Sequence, residues 1–240
     1  HDNCSRPPLR PYLTPAKSLM VWFGCLIPLT GGFLLPAALL LRLAIGGGDV
    51  QFGEKYLTLA TNSLTLALLA SLVTVAAALL LAYAARLNPG RLMAGVKRLA
   101  SLGYAVPGTV IAVGALIPLT ALDHALLSWL QPLGLVSGLL LTGSAVALIF
   151  AYLARFLAVA LHSVEASLAA IKPHLDEAAR SLGARPFALL THIHVPLLSG
   201  GLVSGLLLVF VDVMKELPAT IVLRPFNFET LATQVFMLAA

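Results

Sequence analysis

Charge is what this sequence has least of: Asp, Glu, Lys and Arg together make up 10% of its 240 residues, against 59% hydrophobic. Soluble domains carry about 25% charged residues. The shortage therefore excludes a soluble enzyme or a soluble binding module and makes the bilayer the expected solvent. Apolar and polar residues do not alternate in segments of about ten, as a transmembrane β-barrel would require, which leaves helices. Cysteine is nearly absent. Cys4 and Cys25 are the two present; one is expected on the cytoplasmic side and the other inside a span, so no disulfide follows. No Gly-x4-Gly-Lys-Ser/Thr loop occurs, so the chain itself is not expected to bind nucleotide. No low-complexity linker or short repeat marks a second domain.

What is present is apolar length. A helix needs about 20 apolar residues to cross the hydrocarbon core. Four stretches without Asp, Glu, Lys or Arg reach that length: 19–41, 56–85, 99–122 and 125–154. A fifth, 197–223, is interrupted by Asp212, Lys215 and Glu216. The first run follows basic residues, as in a signal peptide, but it is longer than an h-region and lacks a small-residue cleavage site. It reads as a retained span. The expected architecture is an all-α polytopic membrane helix bundle with five spans. The chain begins at His1 rather than Met and stops soon after the fifth span, so a sixth is expected to be missing. Residues 1–18 are expected to be a cytoplasmic linker or N-terminal tail, and 19–240 the transmembrane domain.

Basic residues set orientation. With the N-terminus in the cytoplasm, Arg6, Arg10, Lys17, Arg86, Arg91, Lys97, Arg98, Arg155, Lys172, Arg180 and Arg185 lie inside, and Arg42, Lys55 and Arg224 outside. This distribution accounts for the net charge of +5 without a nucleic-acid partner. A short outer loop is expected around Asp123 and His124, and a long cytoplasmic one over about 162–196.

That cytoplasmic segment carries the strongest signal. Leu175, Ala178, Ala179 and Leu182 recur at i, i+3, i+4 and i+7, an apolar stripe on a short helix, with Asp176, Glu177, Arg180 and Ser181 on its other side. Gly183 sits where a helix end takes a left-handed residue, and Pro186 where a second helix takes its first. That second helix would carry Phe187, Leu190 and Ile193 and end near Pro196. Glu177-Ala178-Ala179, three residues, Gly183, nine residues, Ile193, one residue, then Val195-Pro196 resembles the EAA loop of binding-protein-dependent ABC importer permeases, with Val195 in place of the usual Leu. The resemblance implies a type I importer transmembrane domain in a bacterial inner membrane. It also implies that Glu177, Ala178, Ala179, Gly183, Ile193 and Pro196 couple the spans to cytoplasmic ATPase subunits. Other implied partners are a second permease half and a periplasmic solute-binding protein. The chain would then be a transport subunit rather than an enzyme, with no cofactor of its own and ATP held by the partner.

The fifth span and its continuation to Phe236 are similar to the C-terminal half of ferric iron importer permeases. The likeness extends back through Gly103-Tyr104-Ala105-Val106-Pro107-Gly108 and Leu153-Ala154-Arg155. It implies iron as the solute. Thiamine, sulfate or a polyamine are the alternatives within the class, and an ion-coupled secondary transporter or an intramembrane enzyme those outside it. Ionisable residues in a span suggest a functional site, so Asp212, Lys215 and Glu216 are candidates for the translocation path. Asp212 and Lys215, at i and i+3, could equally neutralise each other, which would leave Glu216 unpaired. Asn62 belongs to a polar stripe with Thr58, Thr61 and Thr65 that serves either helix packing or the pore. His192 and His194 are two positions apart, not the spacing of metal ligands on one helix face, and read as solvated. Gly201-x3-Gly205 and Gly134-x3-Gly138 permit close helix contact. Nothing places a base beside Ser144 to make it a nucleophile.

Overall fold

The computed structural model describes residues 14–46, 53–133 and 139–240, and every regular element among them is helical. They fall into two compact units, His1–Gly53 and Glu54–Ala240. The first holds α1 (Pro15–Leu29) and α2 (Leu35–Gly46), joined by a π turn, Thr30–Leu34. Pro28 has no N–H to donate and its ring crowds the preceding turn, and the helix widens just beyond it. Thr30 Oγ1 donates back to the carbonyls of Leu26 and Ile27 at 2.7 and 3.2 Å. Lys17–Gly46 is long and apolar enough to cross a bilayer. Arg6, Arg10 and Cys4 lie outside the described residues.

The second unit runs α3 (Glu54–Leu87), α4 (Arg91–Leu102), α5 (Gly108–Leu130), α6 (Ala145–Ala169), α7 (Pro173–Ser181), α8 (Pro186–Leu189), α9 (Val195–Leu197), α10 (Ser199–Met214), α11 (Pro218–Leu223) and α12 (Leu231–Ala239). α3, α6 and α10 pack on one another to form the core, with α5 and α11 against α6. Lipid gives helices no hydrophobic reason to associate, so membrane bundles rely on close approach through small residues. Accordingly α3 buries Ala67, Ala70, Ala78 and Ala82, and α6 buries Ala147, Ala151 and Ala160. On α10, the Gly201 carbonyl accepts from Ser163 Oγ at 2.9 Å, and a Cβ at Gly201 would run into Ser167. Two buried hydroxyls of α3 are satisfied inside their own helix: Ser63 donates to Leu59 and Thr74 to Ala70, at 2.8 and 2.7 Å. Gly134 and Gly138 lie outside the described residues.

The third and fourth spans are framed differently from the expectation. α5 runs straight through Asp123, which was expected in an outer loop. The carboxylate is fully buried. It accepts from the amides of Leu140, Leu141 and Thr142 at 2.9, 2.8 and 2.6 Å and from the Thr142 hydroxyl at 2.6 Å. A charge with four donors need not end a helix; here it anchors the returning chain, and α6 starts only after its cap, Ser144. Residues 99–102 belong to the amphipathic α4, whose Lys97 pairs with Glu165 of α6. Two corrections follow. Arg155 is not a cytoplasmic base but lies well inside α6, and the polar segment expected from His162 begins only after Ala169.

The fifth span is also not one helix. α10 ends at Met214, the chain breaks over residues 215–217, and α11 resumes at Pro218. At its other end α10 meets residues 186–197 at a bend of 75°. The described residues thus hold four continuous elements able to cross a membrane and one bent pair.

Gly103 opens the 3-10 turn Gly103–Ala105 between α4 and α5, and a Cβ there would collide with the backbone carbonyl of Ala154. Backbone cannot rotate aside as a side-chain tip can. Gly103→Ala should lower the amount of folded protein in the membrane severalfold. Gly114→Ala, where nothing lies within 4 Å of the added carbon, should leave it unchanged. Quantitative immunoblots of isolated membranes read both.

Candidate functional site

The loop after α6 is built around one turn. α7 ends at Ser181, and Gly183 has φ +84°. The Gly183 amide donates to Arg180 O at 2.9 Å and the Ala184 amide to Ala179 O at 3.0 Å, the paired bonds of a Schellman end. Pro186 then opens α8 as its first residue. The second helix is less regular than expected. It widens into a π turn, Leu190–His194, before α9, because Pro196 has no N–H to return to His192.

The burial of α7 corrects the expected stripe. Ala179 faces inward, but its buried neighbour is Asp176; Leu175, Ala178 and Leu182 are exposed, Leu182 at 88%. Glu177 is also exposed, 3.7 Å from His174, and Phe187 stands 75% exposed across the turn. Ile193 is half-buried and Pro196 exposed.

Asp176 turns inward because Arg86, in the last turn of α3, meets it. Arg86 Nε donates to Asp176 Oδ2 at 2.7 Å, and its other nitrogens donate to the carbonyls of Leu168 and Ile171 at 2.9 and 3.0 Å. A guanidinium suits the carbonyl-rich end of a helix such as α6. His194 Nε2 lies 3.1 Å from Asp176 Oδ1. His194 is fully buried rather than solvated, whereas His192 is exposed. Burial pushes the His194 imidazole below its ordinary value, against the pull of the Asp176 charge. Tyr83 completes the cluster: its hydroxyl donates to Pro186 O at 2.7 Å, and its ring centroid lies 5.3 Å from that of His194.

The second group of candidates separates in space. Lys215 Nζ pairs with Asp212 Oδ1 at 2.8 Å, as the i, i+3 spacing allowed. Asp212 lines a cavity of about 630 Å³ with Ser101, Tyr104, His162 and Ser163. Glu216 faces elsewhere and is not unpaired. Its Oε2 lies 3.4 Å from Arg155 Nε, and its Oε1 accepts from the Ala219 amide at 3.3 Å. Arg155 also donates to Val106 O at 3.1 Å. Gly108 lets both groups approach, since a Cβ there would meet Glu216 and Arg155 together. Tyr152 and Thr220 share a hydrogen bond of 2.6 Å, and Thr220 donates to the Glu216 carbonyl. Asn62 is apart from all of these, its amide donating to Glu229 O at 3.1 Å. Thr58, Thr61 and Thr65 are exposed and bond within their own helix. Sequence reasoning missed Arg155, Tyr104, His162 and Arg86. A frame starting α6 at Ser144 would have shown Arg155 as a lone charge inside a span.

Comparison with known proteins adds a family. The family model described as binding-protein-dependent transport system inner membrane component matches residues 74–227. Over 239 residues the chain is 28% identical to the Fe(3+)-transport system permease protein FbpB 2 of Haemophilus influenzae, covering 95% of this chain and 43% of that protein. Over 76 residues it is 38% identical to a protein named for 2-aminoethylphosphonate transport, PhnV of Salmonella paratyphi A, covering 32% of this chain and 29% of that one. The chain spans less than half the length of these relatives. The matched region runs from the middle of α3 through the Gly183 turn, α10 and α11, which are the helical bundle and the loop described above. The chain belongs to the binding-protein-dependent transport system inner membrane components, multi-pass helical proteins of the membrane.

Proposed function

We propose that the chain is a permease half of an ATP-driven importer, with residues 170–197 docking on cytoplasmic ATPase subunits and ferric iron as its solute. A second permease half completes the path, a periplasmic binding protein delivers the solute, and ATP is held and hydrolysed by the partner. The observation that carries this reading is the outward face of the loop. Leu175, Leu182 and Phe187 stand exposed beside Glu177 while Asp176 and Ala179 hold the loop to the bundle. A rigid, anchored helix pair with an apolar outer face suits a groove on another protein.

The path is proposed at Asp212 and Lys215. The Lys215 side chain is 70% exposed, and a cation in a span cannot rest against hydrocarbon without large cost. That side of α10 therefore faces water or the second half. Glu216, one residue on, braces the helix break, and Asn62 holds the segment after it. Iron as cargo is supported by the likeness to FbpB 2 and by the Asp212 carboxylate and Tyr104 phenol around one cavity, oxygen donors that suit a hard cation, beside the His162 imidazole, a donor type that also binds iron. An anionic phosphonate is the second reading, favoured by the shorter match and by the exposed Lys215.

The test is uptake by the whole transporter, with its ATPase and binding protein, in liposomes. Ferric iron should enter only with hydrolysable ATP. Entry of 2-aminoethylphosphonate instead would overturn the cargo, and entry driven by an ion gradient alone would overturn the class. Asp212→Asn with Lys215→Met should assemble at normal levels, because no lone charge is left behind, yet transport at least an order of magnitude more slowly. Full uptake in that variant would reduce the pair to packing.

A further inference from the structure

We propose that Arg86, Asp176, His194 and Tyr83 form a positioning latch that makes α3 move with the loop of residues 170–197, so that force on the loop travels along α3 as well as into α10. The inference rests on the reading of this loop as the ATPase contact.

The latch grips both arms of the loop across the Gly183 turn. On the first arm, Arg86 holds Asp176 of α7 at 2.7 Å and the carbonyls of Leu168 and Ile171 just before it. On the second, Tyr83, about one turn back along α3, donates to Pro186 O at 2.7 Å. The same carboxylate also faces the second arm: its Oδ1 lies 3.1 Å from His194 Nε2 in the segment leading to α10. A brace that only stabilised the fold could hold one arm. Here neither arm can shift without pulling α3 or breaking a desolvated contact: Arg86 and Asp176 side chains are 16% and 11% exposed and His194 is fully buried. Buried ion pairs add little net stability, and removing one partner is costly.

α3 is also suited to carry the motion. Its 34 residues make a continuous rod about 51 Å long at 1.5 Å per residue. Near its other end Ser63 Oγ accepts from the Leu231 amide at 2.8 Å and Asn62 donates to Glu229 O at 3.1 Å. The rod is thus fastened to the loop at one end and to the segment beyond α11 at the other.

The experiment uses the complete transporter, comparing wild type with Arg86→Met plus Asp176→Leu and, separately, Tyr83→Phe. Membrane abundance, co-purification with the ATPase, ATP hydrolysis and solute uptake are measured on the same preparations. The double variant should insert and bind the ATPase normally and still hydrolyse ATP, but solute moved per ATP should fall by an order of magnitude. Tyr83→Phe, which removes one hydroxyl, should lower the same ratio less. An unchanged ratio in both variants overturns the latch, as does a fall in abundance with normal uptake per molecule. Loss of ATPase binding in the double variant would place the cluster in the docking surface and also overturn it. A wild-type chain that binds no ATPase would defeat the docking reading itself, a result separable from all of these.

Discussion

Glu216→Gln should sharply lower the amount of folded protein in the membrane, while Arg155→Met combined with Glu216→Leu should restore it. The sequence alone leaves Glu216 unpaired and a candidate for the path. Its contact with Arg155 at 3.4 Å reverses that expectation. The Glu216 side chain is 7% exposed and that of Arg155 is 20% exposed, so neutralising the carboxylate leaves the guanidinium inside α6 with acceptors, the Val106 carbonyl and the new amide oxygen, but without its countercharge. Breaking a buried pair from one side costs about 3–5 kcal/mol, a large share of the roughly 5–15 kcal/mol by which a domain is stable. Replacing both members with apolar groups leaves no lone charge. Membrane abundance by immunoblot and thermal stability in detergent read both variants. A Glu216→Gln protein as abundant as wild type would return Glu216 to the path.

Gly183→Val should abolish uptake with the spans still inserted. At φ +84° a β-branched residue is strained, and relieving the strain breaks the bonds from Gly183 to Arg180 and from Ala184 to Ala179. α7 and α8 would then no longer hold Leu182 and Phe187 in one outward surface. The turn lies outside the spans, and a Cβ there meets nothing within 4 Å, so the effect is conformational rather than steric. Asn tolerates the left-handed region, and Gly183→Asn should retain most of the uptake. Co-purification with the ATPase, measured beside uptake, separates lost docking from lost transmission. Normal uptake in Gly183→Val would remove the turn from the mechanism.

The two sites differ in how far they could be read in advance. The Gly183 turn and the Pro186 start were legible because each rests on the backbone chemistry of a single residue. The inward side of α7 was not. Its apolar period pointed to Leu175 and Leu182, but the burial of Asp176 depends on Arg86, ninety positions earlier. His194 was misread as solvated for the same reason, since the groups that enclose it, Tyr83 and Asp176, come from other elements.

Span boundaries failed through one assumption, that the first charge after an apolar run ends the helix. Asp123 breaks that rule because amides 140–142 and the Thr142 hydroxyl satisfy its carboxylate. The frame of α6 and the place of Arg155 shifted with it. By itself, then, the sequence determined that the chain is a membrane helix bundle and where its sharpest turn lies, because hydrocarbon length and backbone conformation are local properties. Only the tertiary structure decided which charges pair and which face each helix buries. The energy of a buried charge depends on groups that folding brings from distant parts of the chain.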